Sequence, residues 1–469
     1  MKILAIDQGT TGTKAFTYDE DGRFKTIFSA DVEQHFPKPG WVEHDPRQLL
    51  SHFEAAIKKA GKFDCIGMAN QGETLVAWNT ATGAPIANAI VWQDDRSKDF
   101  CAQLKAQGAE TLTKQKAGLP LDPYFSASKF RWILDHVPEA KELAANGQLH
   151  LGTSDAYFLE RLSGQFATDV TTASRTSLMN LDTLQWDDEL CALFGVPREC
   201  LPEIRATTGP FGSNITASMV DQQAALFGHG CMKPGDAKIT FGTGAFALAL
   251  VGTKRPPDDK SGLLPTVAWK VGTAPADFAI DGGVYNAASA VNWAKGLGLF
   301  KSYDEINAFE KPSAISRGLA FVPALSGLAA PHWDRNAAGL WLGLGLDTAK
   351  EDMMQAVLEG VALRACEVME VMARQGGRGT SISIDGGLSK NPYFGQFLAN
   401  ALNRRVLVSS SADLTGLGVA RMAMLGAGVK SLPPLPKPTQ AYLPLEPLPA
   451  SLHSRFGIAV LRAKGWKGF

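Results

Sequence analysis

Twice in this chain an apolar, strand-like run breaks into a tight turn of glycine and threonine and then resumes as a strand. The first copy is Ile3-Leu4-Ala5-Ile6, then Asp7-Gln8-Gly9-Thr10-Thr11-Gly12-Thr13-Lys14, then Ala15-Phe16-Thr17-Tyr18. The second is Lys238-Ile239-Thr240, then Phe241-Gly242-Thr243-Gly244, then the apolar run Ala245 to Leu250. Such a turn makes a phosphate-sized cradle, because glycines let backbone N–H groups approach an anion closely and a threonine hydroxyl adds a donor. One copy alone is compatible with an ordinary hairpin. Two copies form an internal repeat, and a repeat at this separation predicts two related domains that each present a cradle to a shared cleft.

The second cradle comes paired with a carboxylate. Ile215 to Leu250 places Asp221 at the start of a predicted helix, ahead of the Pro234-Gly235 turn and the second strand-turn-strand. Aspartate is also a favoured helix cap, so Asp221 has a structural reading beside the functional one. At the first cradle a strand, not a helix, follows the glycines. That separates it from a Rossmann fingerprint, and the absence of GxxxxGK[ST] separates it from a Walker loop. The pattern instead resembles the phosphate-holding hairpin of ATPases built like actin and hexokinase. In that setting Asp7, at the strand tip, is placed to hold Mg²⁺ through water, since this ion keeps several waters and takes one or two carboxylates. Lys14 is a candidate to neutralise phosphate charge, and ATP phosphates between the cradles are the natural ligand.

A chain of 469 residues exceeds what one core usually supports, so two domains are expected. The boundary is set at residues 1–228, with the first hairpin, the expected substrate half and Asp221, and 229–469, with the second turn. A formal net charge of -1 argues against a general nucleic-acid or anionic-membrane binder. No run approaches the about 20 apolar residues of a membrane span. Cys65, Cys101, Cys191, Cys200, Cys231 and Cys366 lack metal-ligand or disulfide-framework spacing and read as reduced thiols of a cytoplasmic protein. The start of the chain does not read as a signal peptide, because Asp7 interrupts the first apolar run. A homo-oligomer is compatible with this composition.

Between the cradles lies the expected substrate half. Polar residues at strand ends of an open α/β sheet are where ligands usually sit. Asn70-Gln71-Gly72-Glu73-Thr74 follows one strand-like run, and Trp92 follows another. Glu73 suits hydroxyl binding, Trp92 an apolar wall, and Tyr124, in a Pro-rich loop, a further wall, although each has a purely structural reading. In the second half, Met353 to Met372 reads as a long helix and Gly416 to Ala420 as the start of a small-residue helix. Ser431 to Ala450 carries seven prolines and reads as an extended strap with neither helical nor strand periodicity.

Longer stretches carry a family resemblance. GWVEHDP (Gly40 to Pro46), AIVWQDDR, GLPLDPYFSASKFRWIL, TDVTTASRT (Thr168 to Thr176), LQWDDEL, DQQAALFG, ALSGLAAPHWD (Ala324 to Asp334) and DGGLSKN are similar to the FGGY carbohydrate kinases, most of all to the glycerol kinases among them. The two family signatures fall at Tyr124 to His136 and from Gly339 through Gly343-Leu344 to Glu359. The resemblance implies an α/β fold of two ribonuclease-H-like domains around a central cleft. It also implies phosphorylation of a hydroxyl on a small polyol or sugar, with ATP and Mg²⁺ as cofactors. By position it implies Asp221 as general base, Asp7 beside magnesium, and Thr10, Thr11 and Thr243 at the phosphates, with Gly242 shaping the second turn. Glu73, Trp92, Tyr124, Gln222 and Phe246 would wall the polyol pocket, and Gly387 and Asn391 would lie at the adenosine end.

The departures bear on the substrate. Gly72 stands where the glycerol kinases carry an arginine that donates to glycerol hydroxyls. Losing such a charge-assisted bond is worth roughly 1.5–3 kcal/mol, so a tetritol, pentitol or pentulose becomes an alternative acceptor, and an arginine restored at 72 is expected to raise glycerol activity. Lys14 replaces the hairpin arginine, keeping charge but losing bidentate geometry. Ala288 and Asn292 replace the usual Gly and Gln near the nucleotide. A non-catalytic nucleotide- or sugar-binding regulator is the rival from another class, and intact Asp7, Asp221 and Thr243 argue against it.

Overall fold

The computed structural model describes residues 1–257 and 261–468 and sets the two cradles in two sheets of repeated topology. In the first, β1 (Lys2–Gln8), β2 (Gly12–Asp19) and β3 (Phe24–Asp31) form an antiparallel meander. On the other side of β1 come β4 (Cys65–Asn70) and then β5 (Ile215–Val220), both parallel to it. This leaves Ile3 to Ile6 central in the sheet and buried on both faces, which explains the unbroken apolar run. Helix α1 (Asp221–Gly228) follows β5 directly.

The second sheet is built from β6 (Ala237–Phe241), β7 (Ala245–Gly252), β8 (Leu264–Trp269), β9 (Asp277–Val284), β10 (Ser381–Gly386) and β11 (Arg405–Val408). Its order is β8-β9-β7-β6-β10-β11, so β6, β7 and β9 repeat the meander, and β10 and β11 repeat the parallel pair. Helix α2 (Leu414–Gly426) follows β11 as α1 follows β5.

These two equivalent helices cross each other at glycine. A Cβ on Gly418 would stand 1.8 Å from the carbonyl oxygen of Ala224, and one on Gly228 would stand 2.1 Å from that of Leu414. No side chain fits between the two backbones. Leu417 and Ala420 of α2 then share a core with Ile3 and Ala5 of the first sheet, and Phe227 of α1 shares it with Leu248 and Trp269 of the second. Each half therefore lends a helix to a joint core, and Asp221 sits where β5 passes into it.

A smaller sheet of Glu43–His44, Ala89–Ile90, Leu75–Asn79 and Leu149–Thr153 holds the loops bearing Glu73 and Trp92. The long helix of the second half runs from Lys350 to Gly376 and packs with Pro392–Leu402 over the second sheet. At the end of the second signature, Glu359 is buried and accepts the backbone N–H groups of Ala314 and Ile315 at 2.7 and 2.8 Å. The signature thus pins a loop to the core.

The Pro-rich strap departs from expectation in one place. Gln440–Tyr442 is a short strand, β12, antiparallel to β11 at the sheet edge. It uses the longest proline-free stretch of the strap, at the edge position where flanking prolines do no harm. All six cysteines are free and buried. Among the described residues no helix is long and apolar enough to cross a membrane.

Candidate active site

Both cradles open into one cleft of about 700 Å³, lined by Thr10 and Thr11 of the first turn and by Thr243 and Gly244 of the second. The first turn closes on itself, with the Gly9 N–H donating to the Gly12 carbonyl at 2.9 Å. The second is anchored through its carbonyls. Gly242 accepts the Ala288 N–H at 3.0 Å, and Thr243 accepts those of Ala287 and Ser289 at 2.9 and 3.1 Å. Ala288 therefore fixes the second turn on the N-terminus of the helix Ala288–Gly296.

Off this cleft opens a smaller cavity of about 180 Å³. Gly72, Glu73, Trp92 and Tyr124 line it from the first half, Asp221 and Gln222 from the start of α1, and Phe246 from β7. Asp221 does not cap its helix, since Val220 occupies that position and no side chain caps α1. Its carboxylate is left for the cavity. Glu73 adopts a left-handed backbone, with φ of 57°, a conformation costly for a non-glycine residue and concentrated at functional sites. The indole of Trp92 meets Tyr124 edge-on, and its Nε1 donates to Thr10 Oγ1 at 2.9 Å, joining the cavity wall to the first cradle.

Four charged residues that sequence reasoning left aside complete this site. Arg175 lines the cavity, with Nε donating to Glu73 at 2.6 Å and Nη2 lying 3.1 Å from Asp281, which lines it from β9. Lys129 is fully buried and donates to the backbone carbonyls of Tyr124 at 2.9 Å and Trp92 at 3.3 Å. Lys238 donates to the side-chain oxygen of Gln222 at 2.7 Å. Lys129 beside Phe130 and Ile133 on an apolar helix face, and Lys238 in an apolar strand, were the available signals. Lys129→Met, which keeps the length and loses the charge, leaves two buried carbonyls unmet at about 1–3 kcal/mol each. It is expected to lower Tm and, by loosening the Trp92 and Tyr124 walls, to raise the acceptor KM while the ATP KM stays put in steady-state assays.

Electrostatics set the carboxylates apart from ordinary surface acids. Burial, reinforced by Glu73, pushes the Asp221 carboxyl up to about 7. Burial and then the charge of Asp221 push Asp7 up to about 7, with Lys14 pulling the other way. Burial lowers Lys129 to about 8. Glu73 is raised by burial, against the pull of Arg175.

The remaining expected site residues lie outside both cavities as lined. Asp7 faces Lys14 across the hairpin, and Lys14 Nζ donates to Asp413 at 2.8 Å, beside the start of α2. Asn292 accepts from the Tyr303 hydroxyl at 2.7 Å. Asn391 caps the helix Pro392–Leu402 through Phe394 N–H at 2.8 Å, and its amide donates to the Ile306 carbonyl at 2.8 Å. Gly387 has open space where a side chain would stand.

Two Gly/Thr turns facing one cleft, on sheets of repeated topology with an exchanged pair of helices, define a two-domain ATPase fold of the actin and hexokinase type. Among such proteins, the chain belongs to the FGGY family of carbohydrate kinases: the family's N-terminal domain matches residues 2–231 and its C-terminal domain residues 237–427. It is thereby an ATP-dependent phosphotransferase acting on a hydroxyl group. The chain is 40% identical to a glycerol kinase of Citrifermentans bemidjiense over 449 residues, 91% of this chain and 90% of that one. It is also 40% identical to a glycerol kinase of Myxococcus xanthus over 455 residues, 92% of each. The crystal structure of Plasmodium falciparum glycerol kinase with ADP superposes with a TM-score of 0.90, at 31% identity and 98% coverage of both chains. A xylulose kinase of Lactobacillus acidophilus shares the fold at 23% identity, with a TM-score of 0.83 over 98% of this chain and 96% of that one.

Proposed function

We propose that this chain transfers the γ-phosphoryl group of ATP to a hydroxyl of a small neutral polyol, glycerol foremost, with Asp221 as general base. The observation that carries this reading is the convergence of Asp221, Glu73, Trp92 and Tyr124 on one cavity of about 180 Å³ that opens beside the two cradles. That volume falls below the roughly 300–1,000 Å³ of sites for drug-sized ligands, and the glycerol kinases resemble this chain along nine-tenths of its length. Trp92 and Phe246 would flank the carbon skeleton, and Glu73 would accept from its hydroxyls. Asp221, half-neutral near pH 7, would take the proton of the attacking hydroxyl. Thr10, Thr11, Thr243 and the turn amides would hold the phosphates, with Lys14 shared between them and Asp413.

Asp7 suits a magnesium ion by its charge environment, because burial and the repulsion of Asp221 are relieved by a cation beside it. Bound with ATP, magnesium would neutralise charge on the polyphosphate. Gly387 would let the adenosine approach its backbone, and Asn391 would brace that side through its cap. The two units divide at the end of α1, as residues 1–228 and 229–469. Phe246, 37% exposed on the far wall, would be covered as they close and exclude water.

Gly72 is the feature that favours a larger acceptor, and its surroundings weaken that case. A Cβ there would stand 2.8 Å from Val220 Cγ2, and the guanidinium of Arg175 already occupies the cavity wall. Gly72→Arg is therefore expected to lower glycerol turnover, the reverse of what the sequence suggests. The test is ADP release with Mg-ATP and glycerol, tetritols, pentitols or pentuloses, each against a blank without acceptor. Glycerol should give the highest kcat/KM. A pentulose or pentitol in that place would transfer the assignment to the larger acceptor, and no release above blank would favour a non-catalytic binder.

A further inference from the structure

We infer that Arg175 donates directly to the acceptor, supplying from the chain's Thr168–Thr176 segment the charged donor that Gly72 lacks. This rests on the proposed polyol kinase reading and adds to it a residue that sets acceptor choice. The guanidinium is 4% exposed and lines the cavity that Glu73 and Asp221 also line. Two of its three nitrogens are engaged, Nε with Glu73 and Nη2 with Asp281, while the third, Nη1, is buried and has no hydrogen-bond partner among the described residues. The rings of Tyr124 and Phe125, centred 5.8 and 5.5 Å from its central carbon, help fix its plane. A buried charged donor left unmet is costly, and a polar ligand in the adjoining cavity is the natural group to meet it. Because Glu73 belongs to the first half and Asp281 to the second, the same guanidinium ties both walls of the cavity to the acceptor.

The arrangement also defines the chemical class of acceptor. Glu73, Asp281 and Asp221 place three carboxyl groups around one guanidinium. Arg175 is held by two of them, so no positive charge remains to receive a carboxylate or phosphate on the acceptor. Neutral polyols fit, and glycerate and gluconate are expected to release no ADP above the blank.

The direct test compares wild type with Arg175→Lys on glycerol, propane-1,2-diol and propane-1,3-diol, after thermal melting and ATP binding have shown that the variant is folded. Arg175→Lys should lower kcat/KM for glycerol about ten- to a hundredfold with the ATP KM unchanged. For the diol lacking the hydroxyl that Arg175 holds, the loss should largely vanish. Equal losses on all three acceptors would show a purely structural role and overturn the inference. If the variant does not fold, a crystal structure of wild type with glycerol decides: Nη1 within about 3 Å of a glycerol oxygen supports the contact, and a separation too long for a hydrogen bond overturns it. Wild type inactive on all polyols would overturn the parent reading and this one together; activity with equal losses overturns this one alone.

Discussion

Asp221→Asn is expected to lower kcat by ~10²–10⁴-fold, the usual contribution of a positioned general base, while ATP still binds. The amide keeps the shape of the side chain and cannot accept the proton. The same substitution should stabilise the unliganded protein. Burial raises the Asp221 carboxyl to about 7 from an ordinary 3.8, so the folded state holds a proton that the unfolded state releases between those values. Stability therefore falls as pH rises through that window, and the full cost is present above about 7. Removing the charge should gain on the order of 4 kcal/mol at pH 8, shrinking toward zero below pH ~4, as read from urea melts at each pH. The wild-type acceptor kcat/KM should climb with pH to a plateau above about 7, where the base is free. Full turnover in the variant would remove Asp221 as the base, and no stability gain at pH 8 would remove the cost assigned to its buried charge.

Gly418→Ala is expected to destabilise the protein on the order of 3 kcal/mol, or about 6–12 °C in Tm at 2–4 °C per kcal/mol. The added methyl would stand 1.8 Å from a backbone carbonyl of α1, so one helix must move, and the helix that moves begins with Asp221 or packs against it. Activity at a temperature where the variant stays folded should fall as well. Gly457→Ala is the matched control. It lies inside the helix Ala450–Ala463 with nothing within 4 Å of a new Cβ, and is expected to stabilise by about 0.5–1 kcal/mol through helix propensity. Opposite signs for one substitution type would locate the cost in the helix crossing.

What the sequence made legible was whatever is written in neighbouring residues. The two cradles announce themselves because a tight anion-sized turn needs glycine and hydroxyl residues side by side, and the repeated sheet topology follows from them. Glu73, Trp92 and Tyr124 were marked by their places after strand-like runs and in a Pro-rich loop, Phe246 through the family resemblance alone, and the structure gathers all four around one space. Arg175 was out of reach because its meaning comes from Glu73, 102 positions away, and from Asp281 on the other half. For the same reason the sequence shows only the glycine at 72, and the fold alone brings the Arg175 guanidinium to the same cavity. The β12 strand was hidden because only its edge position makes pairing compatible with the prolines around it.

The most direct measurement is phosphorus NMR of purified protein incubated with Mg-ATP and glycerol, following ADP and phosphomonoester together. One glycerol phosphomonoester formed for each ADP, absent with Asp221→Asn, is the expected result. ADP accompanied by inorganic phosphate alone, or no ADP formed with glycerol at all, would contradict the account.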